Sequence, residues 1–386
     1  MKREIQDLKD TRILFVSSII PPEHSGAGKR IYNFYKFLKS ENIDTGVLTN
    51  TNDRGIDAEI MYIKSITFEG YFRKLSIFIN FVSYFFQLLI LAPGFNPNNK
   101  KKGVVWLTSA RPLTFAASIV FKILGYKIIT QNTLVGSDDP EFKYPGDVLG
   151  IKYGLKRLQY YLSDAVTSIS PALYNLSKNY HSNTVMIPNP VDTTKFSNNL
   201  TAEERQKRKK VLIVGKIGYR KGSDIVLRTI ELVHEVDPEV EFTFVGPHDD
   251  LKEICEKEGI DLKKIMRGKV NFEGYVQDPT PYYKNSSILF LPSRREGFGT
   301  VFIEAMAAGL PVVCLKLEGI TDFIFGRNYI GVLNESNEKE FFKIISLILD
   351  DINTFNKIIS ISSNNFKRFD LHRIYNNYSG LLKSLE

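Results

Sequence analysis

The 386-residue sequence predicts an α/β protein made of two Rossmann-like halves. Three observations carry this. Short apolar runs alternate with segments of helical spacing, the pattern of a parallel sheet covered on both faces. Glycine-bearing loops follow the first strand of each half. The chain also restarts: after the proline-punctuated Ile187-Pro188-Asn189-Pro190-Val191-Asp192 and a polar stretch at 197–210, KVLIVG opens a second strand, loop and helix.

In the first half, RILFVSS at 12–18 reads as a strand and residues 30–40 as a helix, joined by a loop carrying Gly26-Ala27-Gly28. That spacing is not the dinucleotide-binding GxGxxG. Strands are expected at 44–49, 58–63, 104–108, 127–131 and 165–169, with a helix at 113–124.

Residues 75–92, LSIFINFVSYFFQLLILA, are mostly large and apolar, interrupted by Asn80, Ser83 and Gln87 and flanked by Arg73-Lys74 and Lys100-Lys101-Lys102. The run is short and interrupted for a spanning helix, and suits a buried or surface-seeking one.

In the second half, strands are expected at 210–215, 241–245, 270–273, 288–291 and 311–315, and helices over 338–386. The most informative stretch runs from Pro292 to Val313. An apolar strand leads into a polar loop with Gly297 and Gly299, then a helix at 300–308 closed by Gly309 and followed by Pro311. Free N–H groups at a helix start, with the helix dipole behind them, make an anion site. Glu296 and Glu304 flank that start. A carboxylate beside an anion site is useful when it accepts hydrogen bonds from neutral hydroxyls, such as those of a sugar or ribose. The plain alternative is an ordinary strand–loop–helix unit.

Composition narrows the ligand. Fifty-one Lys and Arg against 43 Asp and Glu leave a net charge of +8, which fits an anionic ligand or membrane surface and is too small to argue for nucleic acid. The two cysteines, Cys255 and Cys314, lack metal spacing, so a reducing compartment without a disulfide is expected. No apolar signal region precedes the first strand, so no secretory signal is expected and the location is read as cytoplasmic.

The block PSRREGFGTVFIEAMAAGLPVV, with its Glu-x7-Glu spacing, resembles the signature of family-4 retaining glycosyltransferases. The resemblance extends in order from the N-terminal glycine loop through the 187–192 linker to Gly215-Lys216-Ile217-Gly218-Tyr219-Arg220-Lys221-Gly222. It implies a GT-B fold: a 1–190 acceptor-binding domain and a 191–365 nucleotide-sugar domain facing a central cleft, with residues 366–386 packing back on the first.

Residue by residue, the resemblance implies a donor-phosphate loop with Lys216 at the family's arginine position, Lys221 at its lysine position and Arg220 beside them. Glu296 would hold the transferred sugar and Glu304 the ribose. Gly297, Phe298, Gly299 and Thr300 would form the anion site, and Gly274 and Val276 would lie beside the nucleobase. Gly26 and Gly28 would face the sugar-diphosphate. Many members carry a histidine where this chain has Gln131-Asn132. Asn132, Asp138 and Asp139 are therefore the acceptor-side candidates, although an Asp-Asp-Pro loop also suits a turn or helix cap.

The implied activity is metal-independent, cofactor-free retaining transfer from a nucleotide-diphosphate sugar to a glycan or lipid-linked acceptor; the apolar run and its flanking cations add an expected contact with the inner face of the membrane through 73–102, against the alternative that the run is core. Two further readings remain. A non-catalytic nucleotide-sugar-binding partner subunit is distinguished by donor hydrolysis, and a sugar-nucleotide epimerase by isomer formation from donor alone.

Overall fold

The computed structural model describes residues 7–21, 26–51, 59–66, 76–95, 102–138, 140–143 and 150–385. They form two compact units, residues 1–190 with 372–386, and residues 191–371.

The first unit is a seven-stranded, all-parallel sheet of order β3-β2-β1-β4-β5-β6-β7. Its strands are β1 (Thr11–Ser17), β2 (Thr45–Thr49), β3 (Ile60–Tyr62), β4 (Lys102–Thr108), β5 (Lys127–Asn132), β6 (Ala165–Ser168) and β7 (Thr184–Met186). Helix α1 (Gly26–Ser40) follows β1 and begins inside the glycine loop, four residues before the expected start. Gly28 permits this, because a Cβ there would lie 1.8 Å from the Ile19 carbonyl oxygen. The middle of the sheet packs through aromatics. Trp106, fully buried, meets Phe15, Phe34 and Tyr378, the last edge-on at 5.0 Å. Each such pair adds roughly 0.5–1.5 kcal/mol beyond area burial.

Helix α2 (Ser76–Leu91) has two faces. Tyr84 and Leu88, with Ala92 just beyond it, join the core under α3 (Pro112–Ile123), whereas Phe78, Phe86 and Ile90 are exposed on the opposite side. Two of the three polar interruptions in the run clasp backbone. Asn80 exchanges two hydrogen bonds with Ile66 (2.7 and 2.9 Å), and Gln87 two with Lys64 (3.1 and 3.0 Å). An amide side chain that both accepts and donates reproduces one rung of a strand ladder.

Helices α4 (Ile151–Leu162) and α5 (Pro171–Ser177) complete this part of the unit.

The second unit is a six-stranded parallel sheet of order β10-β9-β8-β11-β12-β13. It comprises β8 (Lys210–Val214), β9 (Glu241–Val245), β10 (Val270–Phe272), β11 (Ile288–Leu291), β12 (Val312–Leu315) and β13 (Val332–Leu333), with α6 (Ser223–Val236) after β8, α7 (Leu251–Glu258) after β9, α8 (Thr280–Asn285) before β11 and α9 (Thr300–Ala307) after it. Helices α10 (Thr321–Phe325), α11 (Glu338–Asp350) and α12 (Ile352–Asn365) follow. β8 and β11 are neighbours, so the loops after these two strands emerge side by side at the carboxyl edge of the sheet.

The last helix, α13 (Leu371–Ser384), belongs to the first unit, where Tyr375 and Tyr378 pack on Phe34 at 4.8 and 5.0 Å. Residues 366–371, grouped with that helix in the sequence reading, stay with the second unit instead. Phe369 is their anchor, fully buried against Phe298 and Phe323.

Candidate active site

The site in the second unit is built where the loop after β8 meets the loop after β11. Two glycines make the meeting possible. Gly222 is left-handed (φ 72°), and a Cβ on it would lie 2.1 Å from the Pro292 carbonyl oxygen. Gly215 (φ 131°) lets the Lys221 side chain pass, its Cε 3.0 Å from where a Cβ would stand. Both backbones are further tied by the Arg294 N–H donating to the Arg220 carbonyl at 2.9 Å.

Lys221 Nζ then donates to Glu296 Oε1 at 2.7 Å, with both side chains largely buried. Arg220 Nη1 lies 3.5 Å from Glu296 Oε2 and donates to the Arg295 carbonyl at 2.9 Å. Burial works against ionisation of Glu296, yet the Lys221 charge and hydrogen bond, with Arg220 behind them, hold its carboxyl below the usual range. Lys216 stands apart. It is exposed and paired with Asp250 at 3.2 Å.

Gly299 (φ 85°) caps α9, and no side chain caps the first turn. Thr300 opens the helix, and Gly297 is buried beside Glu296. The Phe298 ring is buried against Phe369 at 5.4 Å, so only its backbone is available to a ligand. One turn into α9, Glu304 Oε2 accepts from the Tyr283 hydroxyl of α8 at 2.6 Å. Burial, reinforced by the Glu304 charge, pushes the Tyr283 phenol far up, so it remains the donor. Gly274 (φ 68°) and the half-buried Val276 follow β10 beside the exposed Tyr275.

The acceptor-side candidates lie in the first unit and are mostly engaged internally. Asn132 is buried at the end of β5. Its amide donates to the Ser177 hydroxyl at 2.7 Å and to that of Tyr160. The buried Asp138 accepts from the Thr133 N–H at 2.9 Å and from its hydroxyl, which closes the 133–138 turn. Asp139 lies outside the described residues. Gly26 and Gly28 form the first turn of α1, Gly28 as a packing glycine and Gly26 with open space about its Cα.

Sequence reasoning missed two arginines of the second unit. Arg294 makes a two-pronged pair with Asp224 of α6 at 2.7 and 2.6 Å and also donates to the Tyr219 carbonyl at 2.8 Å, clamping the basic loop to the glutamate loop. The only signal was position: Arg294 is two residues before Glu296, and Asp224 two after Gly222. Arg205, in what read as a polar linker, is buried and donates to the carbonyls of Ser286 (2.7 Å), Ala308 (2.6 Å) and Tyr283 (3.3 Å). It satisfies carbonyls at the ends of α8 and α9. Among the described residues no group of three or more His, Cys, Asp or Glu side chains is arranged to hold a metal ion.

Residues 208–351 match the family described as glycosyl transferases group 1. An uncharacterized glycosyltransferase of Methanocaldococcus jannaschii is 30% identical over 154 residues, covering 36% of this chain and 38% of that protein. The capsular polysaccharide biosynthesis glycosyltransferase CapM of Staphylococcus aureus is 25% identical over 138 residues, 36% of each chain. The chain thus spans little more than a third of the length of these two curated relatives. By structure it resembles Anabaena HepE, solved in complex with UDP and glucose, with a TM-score of 0.72 and 16% identity, covering 97% of this chain and 99% of that one. The fold is GT-B, as the resemblance implied. The family match and the fold together support a group 1 glycosyltransferase.

Proposed function

We propose that this chain is a retaining, metal-independent glycosyltransferase that moves a sugar from a nucleotide-diphosphate sugar to a glycan or lipid-linked saccharide acceptor in surface polysaccharide assembly. The observation that carries the reading is the Lys221–Glu296 pair beside an uncapped helix start. A lysine and an arginine converge on one carboxylate, at a place suited to two adjacent phosphates and the sugar they carry.

In this reading Lys221 exchanges its carboxylate partner for a donor phosphate. The α9 N–H groups and Lys216 share the charge that develops on the leaving diphosphate, and Glu296, released, accepts from the sugar hydroxyls. The acceptor oxygen bonds to the anomeric carbon on the face from which the phosphate oxygen departs, and the departing phosphate takes the acceptor proton. Glu304, oriented by Tyr283, accepts from the ribose hydroxyls. The name of CapM and the UDP and glucose bound by HepE support polysaccharide assembly and a nucleotide-sugar donor.

Thermal-shift screening against UDP-, GDP- and ADP-sugars identifies the donor, since a ligand that binds only the folded state raises the melting temperature. NMR of the product then reads the anomeric configuration. Inversion at the anomeric carbon rejects the retaining mechanism, and donor binding without hydrolysis or transfer supports the non-catalytic partner instead.

The acceptor reading carries a location with it: peripheral binding at the cytoplasmic face of the membrane, through the exposed side of α2. Phe78, Phe86 and Ile90 are exposed there. The clasped and buried opposite side of α2 favours lying on a bilayer over crossing it.

A further inference from the structure

Arg30 stands in the first turns of α1, four residues before Phe34 and so on the same face of the helix. Phe34 packs on Phe15 of β1 and on Trp106 of β4, the two neighbouring strands between which the strand order reverses, and Arg30 lies one turn nearer the helix start that follows β1. Such a reversal is where open parallel sheets take their ligands. The Nε and Nη2 atoms of Arg30 are buried, and no acceptor among the described residues reaches them. Nor does any described carboxylate come within ion-pair distance. Asp138 acts on it only through space, as does Tyr378.

Arg205 shows how this chain treats a guanidinium it uses for structure, since three backbone carbonyls take its protons. Arg30 receives none. A second unpaired group lies close by. Gln131, next to last in β5, donates its amide to the Tyr378 hydroxyl at 3.1 Å, while its own Oε1 is buried and has no donor among the described residues. A buried cation left unpaired destabilises a fold, and so does a buried acceptor. One ligand that brings an anionic oxygen and a hydroxyl would satisfy both.

We propose that Arg30 is the anion-binding residue of a sugar site in the first unit, pairing with a phosphate or carboxylate of the ligand while a ligand hydroxyl donates to Gln131 Oε1. That this ligand is the glycosyl acceptor rests on the function proposed above; the anion site itself does not. The site calls for an acidic sugar, either a sugar phosphate or a uronic acid. It also accounts for the charge of the acceptor side, to which Asn132 and Asp138, held in internal hydrogen bonds, contribute no cation.

The test uses the full chain carrying Lys221→Ala, so that the basic loop of the second unit is weakened, with Arg30 intact or changed to Lys or Met. Inorganic phosphate, glucuronate and neutral methyl glucoside are titrated by calorimetry, and UDP is titrated separately with Lys221 intact. With Arg30 present, phosphate or glucuronate binds and methyl glucoside does so at least about tenfold more weakly. Which anion binds more tightly separates a phosphorylated from a carboxylated ligand.

Arg30→Met abolishes anion binding, Arg30→Lys keeps part of it, and UDP affinity stays within about twofold in both. Without ligand, Arg30→Met melts at the same temperature or higher, because it removes a partly buried charge whose Nε and Nη2 have no acceptor among the described residues. Unchanged anion binding in Arg30→Met overturns the proposal. So does a lower melting temperature, which would mark the arginine as structural, or a matching loss of UDP affinity, which would mean that the anion belongs to the donor. Because anion binding is read without turnover, a chain that transfers no sugar still passes or fails this test.

Discussion

Lys221 donates to Glu296 across 2.7 Å, although the two residues stand 75 positions apart in sequence. The contact joins the two loops of the second unit most suited to a sugar diphosphate. Removing either partner therefore has consequences of different kinds. Lys221→Ala takes away a charge-assisted contact of roughly 1.5–3 kcal/mol, so nucleotide-diphosphate affinity falls about 10- to 150-fold. Arg220→Ala costs less, because Arg220 is more exposed and lies farther from Glu296. Glu296→Gln lowers turnover more than donor affinity, since the sugar gains positive character only as it reacts. Titrating UDP and assaying transfer for the three variants reads each effect, and a costlier Arg220 would assign the donor phosphate to Arg220 in place of Lys221.

The same pair sets a pH dependence. Glu296 is held below the ordinary carboxylate range by Lys221, so its contribution to stability is fully present above the unfolded-state pKa and is lost as pH falls through the lower folded value. Melting temperature recorded from pH 6 down to about 3 drops more steeply for the native chain than for Glu296→Gln. Parallel curves would show that the pair adds nothing to stability.

Arg294 and Asp224 act one step back from the ligand. Their two parallel hydrogen bonds fix where the basic loop stands against the glutamate loop. Asp224 is buried and Arg294 is 39% exposed, so screening limits the stability effect of Asp224→Asn to about 1 kcal/mol. The kinetic effect is larger, because Lys221 and Glu296 lose their common frame. Arg294→Lys keeps the charge and loses the fork, and behaves like Asp224→Asn in raising KM and lowering kcat together. Steady-state kinetics beside thermal melts decide the matter; a fall in stability with kinetics intact would make the clamp purely structural.

Tyr283 and Glu304 supply a comparable test on the nucleotide side. Tyr283→Phe removes the buried hydroxyl that orients Glu304 and costs about 1 kcal/mol of UDP affinity, close to fivefold. Glu304→Gln weakens nucleotide binding while leaving kcat at saturating donor nearly unchanged, because ribose contact is equal in ground and transition states. A selective loss of kcat in Glu304→Gln would instead assign this carboxylate to the reacting sugar.

What was legible in the sequence follows from how local each feature is. Glu296 and Glu304 lie in one continuous strand, loop and helix, so spacing and glycines suffice to put them at one helix start. The central strands were legible because parallel strands are continuous apolar runs. Arg205, by contrast, earns its burial from carbonyls 78 to 103 residues away, and in its own segment it looks like one more cation of a polar linker. Asn132 read as a ligand group because it stands at the end of a strand, where the resemblance implied a histidine in many members of that family. Its partners Tyr160 and Ser177 come from later helices and turn it inward. The faces of α2 were equally hidden, since a run that is apolar all round gives no periodicity with which to choose a side.

That run carries the last prediction. The exposed row Phe78, Phe86 and Ile90 is separated by half a helical turn from the core row Tyr84, Leu88 and Ala92, so charge can be added to one without entering the other. Phe86→Asp with Ile90→Asp leaves the core packing in place and holds the unfolding free energy within about 0.5 kcal/mol of the native chain. The native chain floats with vesicles containing anionic phospholipid at low salt and is partly released by high salt, because basic residues near such a surface contribute about 1 kcal/mol each and are screened. The double variant stays with the soluble fraction at both salt concentrations. If the native chain fails to float even at low salt, the exposed row of α2 serves something other than a bilayer, and the acceptor is then a soluble glycan.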